Sequence, residues 1–167
     1  METVGQLQVE EDPRFTRREW RLQRVGWIAM LAVALAGLVG LAGRGPLSSA
    51  TAGEPAGALA VRYERIVRHE APTQLRIRLG PGVARKGRVR VVLDRGYLEG
   101  VEIEWVLPEP AAVAAAADRF IYDFAIAEPD RAGEVVFGLR PDRLWRRRAR
   151  VGLERGPAVE FTQLVLP

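Results

Sequence analysis

The chain has 167 residues, enough for one ordinary domain and an appendage. It contains no cysteine, one histidine (His69) and one lysine (Lys86), which excludes disulfides, thiolate chemistry and zinc sites built on cysteine or on several histidines. The net charge of +4 is a modest surplus carried almost entirely by arginine, and by itself it does not indicate nucleic-acid binding.

Residues 1–24 are predicted to form a short basic segment in the cytoplasm. Asp12 and Pro13 suit the N-cap and the first turn of a helix, and four of the arginines that follow recur at helical spacing. We interpret these arginines and two tryptophans as anchors at the membrane interface, although they could instead recognise a specific anionic lipid or an acidic partner. The predicted anchors are Arg14, Arg17, Arg18, Arg21, Arg24, Trp20 and Trp27.

Residues 25–43 read VGWIAMLAVALAGLVGLAG and carry no charge. A helix of this length spans roughly 28 Å, close to the hydrocarbon thickness of a bilayer. A buried core helix would keep a polar face, which this segment lacks. The sequence therefore predicts a transmembrane helix over 25–43.

The predicted membrane helix is expected to remain in the mature protein. The small residues at 49–52 could pass for a signal-peptidase site, but the apolar run and the segment before it are both longer than a secretory signal usually has. Arginines are concentrated before the run, so we expect a cytoplasmic N-terminus and a periplasmic C-terminal region, held in the bacterial inner membrane.

Small residues recur at every fourth position of this helix, at Ala32, Ala36 and Gly40. Such a stripe allows a second helix to approach closely, so we treat it as a candidate helix-packing face. The alternative is that it reflects only the alanine- and glycine-rich composition common in membrane helices.

Residues 44–57 are rich in glycine, proline and serine and are predicted to be a linker. From residue 58 to residue 167 apolar residues alternate with polar ones, which is typical of strands buried on one face. We predict an all-β domain of seven to eight strands, an antiparallel β-sandwich or barrel; the family resemblance given below implies an Ig-like β-sandwich. The predicted strands lie around Leu59–Tyr63, Leu75–Leu79, Val89–Leu93, Val101–Trp105, Phe120–Ile126, Val135–Leu139, Val151–Leu153 and Val159–Phe161.

The segment Ala111–Ala117 does not follow this alternation. Alanine favours a helix, but seven residues are too few for an independent one. We therefore predict a helical turn or a loop that crosses between the sheets.

The chain offers few groups for catalysis. Its only serines are adjacent, at Ser48 and Ser49 in the predicted linker, so a Ser-His-Asp triad is not expected. A lone histidine is a poor metal site. Carboxylates could pair as general acid and base, but turn formation accounts for most of them, and the sequence selects no pair. A hydrolase that uses a pair of carboxylates is the least favoured function. Its candidate acid and base residues are Asp94, Asp118, Asp123, Asp130 and Asp142. We expect no enzymatic activity, no cofactor and no bound metal.

Residues 140–150 read RPDRLWRRRAR, the densest basic stretch of the chain. Arginine presents a planar fork to phosphates and carboxylates, so this stretch is a candidate contact for an anionic ligand or an acidic partner. The alternative is a solvated hairpin connection. Nucleic acid is not an expected partner, because the stretch is predicted to lie outside the cytoplasm. The candidate contact residues are Arg140, Arg143, Trp145, Arg146, Arg147, Arg148 and Arg150.

Three stretches, RFTRREWRLQRVGW, VRYERIVRHEAPTQLRIRL and EFTQLVLP, resemble a family of small bacterial inner-membrane proteins. Members have one N-terminal transmembrane helix and a periplasmic Ig-like β-domain. They are often encoded near YetF-like membrane proteins, so the resemblance implies a membrane-protein partner. It supplies no catalytic residues.

We therefore expect a non-enzymatic, membrane-anchored periplasmic module that acts with another inner-membrane protein and contacts inner-membrane lipid. The alternative is a binder or sensor of anionic envelope ligands, such as lipid headgroups or cell-wall polymer, that uses Arg140–Arg150.

Overall fold

The computed structural model describes residues 13–39, 48–128 and 130–167. The chain divides after Val39 into two compact units. The first unit contains the helix α1, Pro13–Val39, which joins part of the predicted basic segment and most of the predicted membrane segment in one element. The helix begins at Pro13, as predicted, because proline has a fixed φ and no N–H to leave unpaired in a first turn.

The apolar side chains described in α1 are largely exposed: those of Val25, Trp27, Met30 and Val33 are 64–73% exposed. No helix within the described residues is both long enough and apolar enough to cross a membrane. Of the predicted membrane segment, residues 40–43 lie outside the described residues.

The second unit is mostly β-structure, and its strands form two sheets that pack as a sandwich. The first sheet has five strands in the order β1-β2-β4-β9-β6, and the second has six in the order β3-β11-β10-β5-β8-β7. Neighbouring strands are antiparallel except β3 and β11, which are parallel. The strands are β1 Ser49–Gly53, β2 Leu59–Glu64, β3 Ile66–Arg68, β4 Thr73–Leu79, β5 Arg88–Asp94, β6 Val101–Leu107, β7 Ala112–Ala115, β8 Arg119–Ala125, β9 Gly133–Pro141, β10 Trp145–Leu153 and β11 Ala158–Leu166.

The core lies between the two sheets and follows from the alternation in the sequence. In β4 every second residue is buried, so that Leu75, Ile77 and Leu79 point inward while the arginines between them face solvent. Aromatic rings join the sheets across the core: the rings of Tyr122 and Phe137 meet edge to face with centroids 5.0 Å apart. Seven of the eight predicted strand segments lie within observed strands, the eighth extends one residue past β8 at Ile126, and a two-sheet β-fold is confirmed.

One short helix, α2 Arg95–Leu98, follows β5 and was not predicted. Asp94 caps it, since its carboxylate accepts a hydrogen bond of 3.1 Å from the main-chain N–H of Tyr97. The Tyr97 side chain is 1% exposed, and its hydroxyl donates to Oε1 of Gln163 at 2.6 Å. Burial raises the pKa of Tyr97. This helix is therefore fixed to the core by a buried tyrosine.

The prediction of seven to eight strands was too low, because β1 and β7 consist mostly of small residues and β3 has only three residues. Strand β1 lies inside the predicted linker 44–57. It pairs with β2 from Ser49 opposite Glu64 to Gly53 opposite Ala60. Main-chain pairing, and not a row of large side chains, holds β1 in place, so its sequence resembles a linker.

The prediction of a helical turn or loop at Ala111–Ala117 was wrong. Ala112–Ala115 forms the edge strand β7, with Ala112 opposite Asp123 and Ala115 opposite Phe120 of β8. The helix propensity of alanine is a weak preference, and the hydrogen bonds that β8 offers override it.

Strand β6 also departs from the prediction that Val101, Ile103 and Trp105 share a buried face. The register shifts between Ile103 and Trp105, so Val106 packs against the core and Trp105 turns outward. The Trp105 ring lies over Gly138 of β9, where a Cβ atom would approach the ring to 2.2 Å. A β-bulge of this kind reverses which residues face inward.

Candidate functional site

The predicted basic contact, Arg140–Arg150, is not one loop. Arg140 lies near the end of β9, a turn follows at residues 142–144, and residues 145–150 belong to β10. The stretch is therefore neither a single basic loop nor a hairpin connection, since β9 and β10 lie in different sheets and residues 142–144 join them. The strand continues because Ala149, Val151 and Leu153 are buried, and this alternation extends back along β10.

The alternation in β10 separates three consecutive arginines. Arg147 lies on the same side as the buried Ala149, while Arg146 and Arg148 are exposed. The Arg147 guanidinium donates to the main-chain carbonyls of Gly96 and Tyr97 at 2.7 and 2.9 Å. It thus satisfies the Gly96 carbonyl at the end of α2, and it shares the Tyr97 carbonyl with the main-chain N–H of Gly100. Arg147 is therefore engaged in holding the fold together.

Two more arginines of the predicted contact have carboxylate partners. Nε of Arg140 donates to Oε1 of Glu104 at 2.7 Å, and a terminal nitrogen of Arg140 donates to the same oxygen. These hydrogen bonds raise the pKa of Arg140. Arg150 lies 3.9 Å from Glu160 on β11 in an exposed, weak ion pair.

The remaining residues form what we term the β10 surface: Arg143, Trp145, Arg146 and Arg148. Its three arginines are exposed and have no ion-pair partner among the described side chains. The Trp145 side chain is 69% exposed, and its φ of 79° is a backbone conformation that bulky residues rarely adopt. Exposed arginines without ion-pair partners are chemically suited to contact an acidic surface, and an exposed indole adds apolar contact area.

The predicted interface anchors lie in α1. Arg24 stacks over the ring of Trp20 at 4.2 Å from its centroid, and Trp27 is 65% exposed. The other predicted anchors are at helical positions, and their side chains lie outside the described part of the structure: Arg14, Arg17, Arg18 and Arg21. On the candidate helix-packing face, Ala32 is exposed, the side chain of Ala36 is not described, and Gly40 lies outside the described residues.

Several of the groups considered for catalysis have structural partners. Nε2 of His69 donates to the main-chain carbonyl of Asp142 at 3.0 Å. Asp94 and Asp118 line one groove of about 530 Å³ on the outer face of the second sheet. Asp94 caps α2, and hydrogen bonds from Arg119 lower the pKa of Asp118. A carboxyl group that acts as a general acid at neutral pH needs a raised pKa, and that of Asp118 is lowered.

Within the described ranges, no three acidic or histidine side chains are grouped to hold a metal ion.

Sequence analysis did not single out a second basic cluster, which lies on the second sheet at the turn before β5. It comprises Arg85, Lys86, Arg88, Arg90 and Arg155. Arg85, Lys86 and Arg88 belong to the run Arg-Lys-Gly-Arg. The central Lys-Gly pair of this run indicates a tight, two-residue hairpin turn. The contribution of Arg155, which lies 65 positions after Arg90, depends on strand order and could not be found from the sequence.

Comparisons with known proteins do not identify a family for this chain. No protein-family model matches the chain, and no curated protein matches it. The family resemblance drawn from the sequence therefore stays a prediction. Among solved structures, a cohesin module from a family 33 glycoside hydrolase of Clostridium perfringens ATCC13124 is similar, with 10% identity and a TM-score of 0.43. The match covers 66% of this chain and 96% of that chain.

Proposed function

We propose that this chain is a non-enzymatic, membrane-anchored interaction module. In this proposal an Ig-like β-sandwich is held on the periplasmic side of the bacterial inner membrane and works with another inner-membrane protein. The observation that carries the proposal is the β10 surface, a short stretch of chain in which Trp145 and three arginines without ion-pair partners in the described part of the chain are all exposed.

The proposed anchor is supported by the uncharged run over 25–43 and by the arginines that precede it. The described apolar side chains of this run extend from α1 with half or more of their surface exposed, from 50% at Leu35 to 73% at Val33. Water does not stabilise an apolar surface of that extent, whereas lipid would.

The proposed partner contact is supported by composition and backbone geometry. Tryptophan and arginine are the side chains most enriched where single residues dominate protein–protein affinity. The rare backbone conformation of Trp145 costs of order 1–3 kcal/mol, and strain of this kind is concentrated at functional sites. Because the arginines of the β10 surface need counter-charges, the partner should present carboxylates.

The alternative function, binding of anionic envelope ligands through Arg140–Arg150, rests on fewer arginines than the sequence suggested. Arg140 and Arg147 are hydrogen-bonded within the fold, and Arg150 faces Glu160. The three arginines of the β10 surface would have to carry it, and a partner protein better explains the exposed indole beside them.

The contact can be tested by replacing Trp145 with a photoreactive phenylalanine derivative in the full chain and irradiating native membranes. We expect one discrete adduct with an integral membrane protein. The double substitution Arg146→Gln and Arg148→Gln should strongly reduce its yield, because it removes the counter-charges for the partner's carboxylates.

The matched control is Arg62→Gln with Arg78→Gln, which removes two exposed arginines from the first sheet and should leave the yield unchanged. An equal loss in both variants, or no adduct at position 145, would contradict the proposal.

A further inference from the structure

A groove of about 480 Å³ lies on the second sheet where the β4–β5 connection meets the β10–β11 turn. We call it the hairpin groove. Five basic side chains line it, namely Arg85, Lys86, Arg88, Arg90 and Arg155, and Glu154 is the one carboxylate among its lining residues. This volume falls in the range of sites that hold small molecules.

The turn beside the groove is tightly defined. Lys86 and Gly87 have φ values of 53° and 71°, and Arg85 and Arg88 exchange main-chain hydrogen bonds of 2.8 and 3.1 Å across them. Positive φ at both central residues defines the two-residue hairpin turn that matches the twist of paired strands. The turn therefore places Arg85 and Arg88, two like charges, directly opposite each other, an arrangement that destabilises a pair of strands.

Part of the positive charge is already neutralised. Asp123 accepts from Arg88 at 3.0 Å and from Arg90 at 3.3 Å, and Glu154 accepts from Arg90 at 3.0 Å. The Asp123 side chain is only 11% exposed, so it holds both guanidinium groups in fixed positions. Arg88 and Arg90 thus form an ordered floor, and a ligand need not immobilise them again.

The other three basic side chains have no such partner. Arg85, Lys86 and Arg155 are exposed, and none makes an ion pair with any side chain that the structure describes. They approach the groove from two turns that are distant in sequence.

We propose that the hairpin groove binds a phosphate-bearing anion. A phosphate group presents several oxygens and up to two charges to donors converging from different directions, and guanidinium forks match that geometry. Both a free phosphate ester and the headgroup of an anionic lipid have this chemistry. The site is separate from the β10 surface, and the proposal does not depend on a membrane-protein partner.

The proposal can be tested by titrating the full chain, kept in neutral maltoside micelles at low salt, with inorganic pyrophosphate in a calorimeter. Arg85→Gln with Arg155→Gln should weaken binding at least about tenfold, since it removes one guanidinium from each turn. Glu154→Gln should tighten binding, because it removes the one carboxylate that repels the ligand. A gain of affinity cannot arise from loss of folding.

The control Arg62→Gln with Arg78→Gln removes the same charge from the first sheet and should leave the affinity within about twofold. Displacement of pyrophosphate by dihexanoylphosphatidylglycerol would support the proposal with a lipid headgroup as the ligand. If the chain binds pyrophosphate but this lipid does not displace it, the result would support the proposal with a free phosphate ester as the ligand. The proposal is overturned if the wild-type chain does not bind pyrophosphate, if the two double variants weaken binding equally, or if Glu154→Gln fails to tighten it.

Discussion

Tyr97 connects an unpredicted helix to the centre of the sandwich. Its ring packs edge to face on Phe161 with centroids 5.9 Å apart, and its hydroxyl is satisfied by Gln163. Nε2 of Gln163 in turn donates to the main-chain carbonyl of Glu64 at 2.9 Å. The tyrosine therefore completes a hydrogen-bonded chain that joins α2, β11 and β2.

This environment predicts how stability depends on pH. Below pH 10.0, the ordinary pKa of tyrosine, Tyr97 is protonated in the folded and the unfolded chain. Above it, the unfolded chain loses the proton that the folded chain retains, so the free energy of unfolding falls as pH rises. Chemical unfolding followed by circular dichroism should show a loss of about 1 kcal/mol from this group between pH 9 and pH 11.

The Tyr97→Phe variant tests this assignment. It should be less stable than wild type by about 1–2 kcal/mol at pH 7, because Gln163 loses its partner. Its stability should fall less steeply above pH 10 than that of wild type. An unchanged slope would show that Tyr97 does not cause the alkaline loss.

The arginines show what could not be predicted at the residue scale. The sequence showed that arginines are concentrated in residues 140–150. It did not show that Arg146 is exposed while Arg147 binds main-chain carbonyls of α2, because this difference depends on the register of β10 and on the presence of α2. Arg147 lies on the inward side only because the alternation of exposed and buried residues, seen at Ala149 and Val151, continues toward the beginning of β10. The hairpin groove likewise needs the β10–β11 turn to lie beside β5, which is a property of strand order.

At the scale of elements, strands with large alternating side chains were predictable and strands held by main-chain pairing were not. Strands β4 and β5 bury Leu, Ile and Val in period two, which decides their faces directly. Strands β1 and β7 consist of small residues, so nothing in their sequence distinguishes a strand from a loop.

Strand β1 can be tested with neighbouring substitutions. Ala52 packs against the core, and Thr51 next to it is exposed. Ala52→Asp should lower the free energy of unfolding by about 2 kcal/mol, because it forces an unpaired carboxylate toward apolar side chains. Thr51→Asp should change it by no more than about 0.5 kcal/mol. Equal, small effects in thermal or urea unfolding would show that residues 49–53 behave as a free linker.

At the scale of the whole molecule, a proposed membrane anchor precedes a β-sandwich with two basic surfaces. Alternation over residues 58–167 predicted the two-sheet architecture, because each sheet must bury one face. The anchor and its orientation rest on the charge pattern around 25–43 and remain a proposal. If the anchor is retained, the β10 surface and the hairpin groove are both displayed outside the cytoplasm.

Site-specific labelling tests this topology most directly, since the chain has no cysteine of its own. Single substitutions Glu2→Cys and Glu109→Cys place one thiol before the apolar run and one in an exposed loop of the second unit. With a membrane-impermeant maleimide on intact spheroplasts, we expect labelling at position 109, and at position 2 only after the membrane is permeabilised. Labelling at position 2 with protection at position 109, or recovery of the second unit in the soluble fraction without its N-terminal segment, would contradict the account.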